Sequence, residues 1–298
     1  MTRGPALALM VAAPVMWSSA GVVTRQIERA EPFEQVFWRS FFAFAFVAGF
    51  LLLRRRNPLR SVWNTGKAGL FSGVLWAVMF TAFVIALSMT TTANALVTMS
   101  ISPLLTVICA RIVLSDPIPL RTWLAALAAM AGIAFMFGSS LDESRHTGGM
   151  LVALLIPVAS ALNVVALRKY SAQVDLIPAV MLGGALSALI ALPLALPISA
   201  SGKDLALLAF LGVFQLGVPC MFLVLASRAL YAPEIALLGL LEVVLGPLWA
   251  WLGAGETPAR ATLLGGGLVL AALAGNEIAA LSSRTRSSRS RRTASSYR

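Results

Sequence analysis

The sequence predicts an all-α integral membrane protein with ten transmembrane helices arranged as two inverted five-helix repeats. Three observations predict it: a composition too apolar for a water-soluble core, ten apolar runs of spanning length, and an internal duplication. Hydrophobic residues make up 59% of the chain and charged residues 12%, about half the charged fraction usual in a soluble domain. The runs cover 6–27, 33–53, 68–89, 94–114, 120–139, 148–169, 178–198, 205–228, 233–252 and 262–281. Each is about the length a helix needs to cross the hydrocarbon. Within a bilayer only a helix satisfies its own backbone without water, so each run is expected to be helical.

The duplication is read from three offsets. Gly73 to Ala93 is echoed by Gly212 to Ala232, displaced by 139, with Gly73/Gly212, Val74/Val213, Phe83/Phe222, Ser88/Ser227 and Ala93/Ala232 identical. Pro14-Val15 recurs as Pro157-Val158 at an offset of 143, with Val22/Val165 and Arg25/Arg168 in step. SDPIPLRT is answered by GETPARAT at an offset of 140, aligning Asp116 with Glu256 and Thr122 with Thr262. The expected units are residues 1–140 and 148–281, an outer hinge loop at 141–147, and a basic cytoplasmic tail at 282–298. Five spans per unit is an odd number, so the second unit enters the bilayer from the opposite side. The halves then relate by an axis in the membrane plane, the plan of alternating-access transporters with a site between the halves.

The net charge of +11 raises nucleic acid as a partner, with the arginine-rich tail as its carrier. The positions favour the bilayer instead. With the N-terminus inside, Arg3, Arg54, Arg55, Arg56, Arg60, Lys67, Arg111, Arg121, Arg168, Lys169, Arg228 and six tail arginines lie on the inner side, a total of 17. Arg25, Arg29, Arg145, Lys203 and Arg260 lie outside, a total of 5. That is the positive-inside bias of a multi-pass protein of the cell inner membrane with both termini cytoplasmic. The first run exceeds a signal-peptide core and no cleavage-like segment follows it, so it is expected to stay as a span. Cys109 and Cys220 fall inside spans, so no disulfide framework is implied.

Taken in order, the first span carries Pro14, Trp17, Ser18 and Ser19 near mid-depth. The second holds Arg39, about seven residues below the outer edge. It either snorkels outward, to cap a helix end or pair with a nearby Glu, or meets a substrate carboxylate in a cavity. The inner loop RRRNPLRSVWNTGK is read as a topology signal with Trp63 as an interface anchor. The third span places Trp76 and Phe80 on one face. The fourth contains Pro103 and stops at Asp116-Pro117. His146, the only histidine, belongs to the hinge. The sixth span holds Asn163, and the eighth holds Gln215, Pro219 and Met221. The ninth buries Glu242 near its centre, one turn before Gly246-Pro247. A central acid is costly and faces protein or water. It couples protons, meets an ammonium group, or is a hydrogen-bonded structural acid. Trp249 and Trp251 are read as belt residues. The glycines at 265–267 are read as a close-packing face, and the tail as disordered.

No HExxH, GxSxG, Walker sequence or Cys/His cluster is present, so neither an enzyme nor a cofactor or metal protein is expected. The ten-span duplication, Phe37-Trp38-Arg39, the pattern Ala93…Pro103…Asp116 and its counterpart Ala232…Gly246-Pro247…Gly255-Glu256 resemble the drug/metabolite transporter superfamily. Within it the likeness is to EamA-type permeases and their YddG-like amino-acid exporter branch. Asp116 stands where that family usually has Glu. The resemblance implies export of small metabolites. The expected substrate-binding set is Trp17, Ser18, Trp76, Phe80, Asn163, Gln215, Met221 and Glu242, with Arg39 as a carboxylate contact. One embedded cation is poor provision for a nucleotide-sugar's two phosphates. A neutral amphiphile or a zwitterion with an apolar side chain fits better, then a cationic drug drawn by Glu242. A lipid flippase and a non-transporting membrane protein stand outside the class. The expected partners are a small-molecule substrate and the lipid bilayer, not nucleic acid. Oligomeric state is left open, with a monomer compatible.

Overall fold

A computed structural model describes residues 1–90, 92–115, 117–137, 147–254 and 260–295. Asp116, His146, Gly255-Glu256 and residues 141–146 of the hinge lie outside the described residues. The helices are α1 (Arg3–Thr24), α2 (Pro32–Leu53), α3 (Pro58–Met89), α4 (Asn94–Val113), α5 (Leu120–Met136), α6 (Gly148–Tyr170), α7 (Ile177–Leu194), α8 (Gly202–Ala226), α9 (Ala232–Trp249) and α10 (Arg260–Ser295). All but α5 have at least 18 residues apolar enough to cross a membrane, and the apolar α5 is slightly shorter.

Packing follows the duplication. Helix α3 packs on α6 and α7, and its repeat mate α8 packs on α1 and α2. Helix α4 meets α6 as its mate α9 meets α1, while α2 meets α7 and α5 meets α10 across the axis. Each of these pairs has its image under exchange of halves, as inverted repeats require. The identical glycines explain one such pair. A Cβ on Gly73 would lie 2.7 Å from Leu182 Cδ2, and a Cβ on Gly212 would lie 2.6 Å from Phe42 Cβ. Positions 42 and 182 are themselves 140 apart, so the same bare backbone serves the same neighbour twice. Of the glycines at 265–267, Gly265 is closely packed, since a Cβ on Gly132 would sit 2.9 Å from its carbonyl where α5 crosses α10, whereas a Cβ on Gly267 would meet nothing within 4 Å.

The helices are broken where their sequence removes or diverts backbone bonding. In α1 the α-helical part ends at Trp17 and resumes at Ala20, after Pro14. Ser18 and Ser19 turn their hydroxyls back to the Val15 and Met16 carbonyls at 2.8 and 2.7 Å. Helix α4 breaks after Met99 and restarts at Ser102, and α9 breaks between Gly239 and Leu241, again 140 residues on. Helix α8 carries a π turn at Leu211–Gly217, just before Pro219, which has no N–H to give to the ladder.

Two expectations are corrected. The inner loop is not irregular throughout. Pro58–Thr65 is helical, with Asn57 accepting from the Arg60 N–H at 3.1 Å, and bends into the span at Gly66, whose φ of 57° suits glycine. Its Trp63 is 85% exposed, as an interface anchor would be. The tail, read as disordered, continues α10 as helix to Ser295. Arginine and serine tolerate a helix, so a polar continuation of an anchored span costs little backbone propensity.

Candidate functional site

Between the halves lies a cavity of about 140 Å³. Seven helices wall it. Trp17 comes from α1 and Arg39 from α2; Trp76, Phe80 and Phe83 come from α3; Met99 and Ser102 flank the break in α4. Helix α6 gives Ser160 and Asn163, α8 gives Gln215 and Cys220, and α9 gives Gly239 and Glu242 around its own break. Two broken helices thus meet at one cavity, the arrangement in which transporters place substrate. A space near 140 Å³ suits a solute of roughly one small ring, and is well below the several hundred Å³ of a drug-sized pocket.

Seven of the nine residues singled out from sequence line this cavity: Trp17, Arg39, Trp76, Phe80, Asn163, Gln215 and Glu242. Ser18 and Met221 do not. Ser18 receives the Trp249 indole N–H at 2.7 Å, tying α9 to α1. Trp249 therefore bonds protein rather than serving only as a belt residue. Met221 is buried in the apolar core, and its neighbour Cys220 takes the cavity wall. Sequence reading missed Phe83, Met99, Ser102, Ser160 and Cys220. Phe83 is three residues after Phe80 and Ser160 three before Asn163, so helical spacing from known members could have found both.

The electrostatics are unusual for a buried site. Arg39 is 3% exposed and forms no ion pair with any described residue; its guanidinium lies 5.4 Å from the Phe83 ring centre. Glu34, the acid nearest to Arg39 in the sequence, is engaged elsewhere. Glu34 accepts from the Ser199 N–H, the Ser199 hydroxyl and the Ala200 N–H at 3.0, 2.8 and 2.9 Å. Glu242 is half-buried and makes no hydrogen bond to a described residue. One guanidinium and one carboxyl group therefore face one cavity without pairing each other.

The neutral polar groups are also under-bonded. Trp76 Nε1, Asn163 Nδ2 and Gln215 Oε1 are buried without a protein partner. Each such group costs about 1–3 kcal/mol if nothing binds it. Asn163 Oδ1 is taken by the Ser72 hydroxyl at 2.6 Å. Sealing contacts lie towards both faces. On one, Asp204 accepts from the Glu28 and Ser201 N–H groups at 3.0 Å each, beside the Glu34 cluster. On the other, Arg3 bridges Glu234 at 2.7 Å and Glu277 at 2.6 Å, and Asp175 joins Arg56 and Arg228 at 2.8 and 3.0 Å.

The profile of the EamA-like transporter family matches residues 4–138 and again 147–276, one copy for each half. No curated protein matches the chain. A solved structure described only as the crystal structure of a protein superposes with a TM-score of 0.78 at 20% identity, covering 92% of this chain and 96% of that one. At that identity the likeness concerns the fold.

Proposed function

The chain belongs to the EamA-like transporter family, and from that premise we propose that it exports small amino acids by alternating access between its inverted halves. The observation that carries the substrate class is the unpaired Arg39 and Glu242 on one cavity. Each is costly alone. A zwitterion relieves both at once, its carboxylate at Arg39 and its ammonium group at Glu242. The charges also come from opposite halves, α2 and α9, so a bound zwitterion bridges the parts that must move against each other. Trp17, Phe80 and Phe83 give the apolar wall for the side chain. The cavity volume favours small neutral amino acids over larger solutes.

An organic-cation exporter of the same fold is the second reading, favoured by Glu242 having no cationic partner. Arg39 weighs against it, because a cation leaves the guanidinium uncompensated. The two readings separate in liposomes containing the purified protein. Radiolabelled neutral amino acid is expected to exchange across the membrane, and its free amine and its N-acetyl derivative to compete poorly. If the amine competes as well as the amino acid, the carboxylate contact is wrong and the cation reading replaces it.

A further inference from the structure

We propose that the cavity holds, beside its two charged groups, a subsite for an uncharged hydrogen-bonding side chain, so that carboxamide-bearing amino acids are preferred over apolar ones of the same shape. This rests on the zwitterion reading above and refines it from neutral amino acids to a particular side-chain chemistry.

Three atoms carry the inference. Trp76 Nε1, Asn163 Nδ2 and Gln215 Oε1 are buried and have no partner in the protein, and their residues stand on α3, α6 and α8, three walls of the same cavity. Their orientations are constrained. The Ser72 hydroxyl occupies Asn163 Oδ1, so the amide presents its NH₂ group as the spare function. Gln215 is 5% exposed and forms no hydrogen bond to any described residue. It stands in the π turn of α8, where the wider winding sets a side chain off the ordinary helical register. Packing alone would not choose an amide and an indole N–H for these places, because buried polar groups in folded proteins are nearly always bonded.

Two donors and one acceptor complement a carboxamide. Its oxygen accepts from Trp76 and Asn163, and its NH₂ donates to Gln215. An apolar side chain of the same shape leaves all three unpaired, and sites built to bond a polar group reject the analogue lacking it strongly. Water is the competing tenant. It would serve the three atoms whatever the amino acid, and the cavity would then not discriminate.

Asparagine and leucine are near-isosteric, so the test is their exchange into liposomes bearing the full-length protein. Asparagine is expected to exceed leucine by about tenfold in kcat/KM. The shape-matched Gln215→Met and the double variant Asn163→Leu/Gln215→Met are expected to shrink that ratio to within about twofold, with the melting temperature reporting whether each still folds. Equal handling of asparagine and leucine by the wild type overturns the subsite and leaves the zwitterion reading standing. Transport of neither overturns both. A ratio unchanged in folded Gln215→Met overturns the assignment to these atoms.

Discussion

Arg39 and Gly212 sit against each other, and each shows how one residue can hold two constraints. The Gly212 position admits no side chain, since a Cβ would lie 2.5 Å from the Arg39 carbonyl and 2.6 Å from Phe42 Cβ. Gly212→Ala is expected to destabilise the protein by about 1–3 kcal/mol, the range for overpacking, and to shift the helix that carries Arg39. Gly267→Ala, where nothing lies within 4 Å, is expected to leave the melting temperature unchanged or slightly raised. Equal losses at the two positions would refute close packing as the reason for Gly212. For Arg39 itself, Arg39→Gln is expected to raise the KM for amino acid at least tenfold, with Arg39→Lys recovering part of it because Lys keeps the charge but not the fork. Glu242→Gln is expected to weaken binding at every pH if the acid meets the ammonium group. If it couples protons, binding is instead retained and exchange stops responding to an imposed pH gradient. A fall in stability alone would make Glu242 structural. That Glu34 is engaged away from Arg39 was not legible from the sequence, because its partners Ser199 and Ala200 stand 165 and 166 residues away.

At the scale of elements, the existence and order of the helices were legible because hydropathy reports burial in lipid without any knowledge of partners. Rotation about each helix axis was not. Ser18 is next to Trp17 and Met221 next to Cys220, and a step of one residue turns a helix by about 100°, enough to exchange cavity for core. In α8 the π turn shifts the register further, so that Gln215 and Cys220, five apart, share the wall. The irregular link between α7 and α8 depends on a side chain of α2. Glu34→Gln keeps the shape but weakens the charge-assisted bonds to Ser199 and Ala200. It is expected to lower the melting temperature by several degrees while sparing the KM, since no atom of the cavity is touched. A raised KM at unchanged stability would mean that the cluster communicates with the cavity.

At the scale of the molecule, the inverted repeat makes the two faces structural images, yet the chain decorates them differently. The charge bias of 17 against 5 predicts that reporter fusions after Arg56 and Leu281 read cytoplasmic and one at Ser144 reads external. An external C-terminus would overturn the ten-span topology. The asymmetry extends to the closures. Arg3 ties α1 to α9 through Glu234 and to α10 through Glu277. At the 140-residue offset the places of Glu234 and Glu277 are taken by Asn94 and Phe137, neither of which is a carboxylate. The closure at the face that carries Arg3 is therefore ionic where its image is not. Under the proposed alternating access, this bridge must break for the cavity to open inward, and its geometry puts it on the helix that bears Glu242. Arg3→Gln removes the bridge without touching the cavity, so it is expected to favour the inward-open state. Cys220, 1% exposed on the cavity wall, reports that state in a Cys109→Ser background. Its labelling by a membrane-impermeant thiol reagent is expected to rise several-fold in inside-out vesicles and not in right-side-out ones. Equal labelling from both sides, or a lower melting temperature with unchanged labelling, would reduce the Arg3 bridge to a structural tie and leave the inward gate elsewhere.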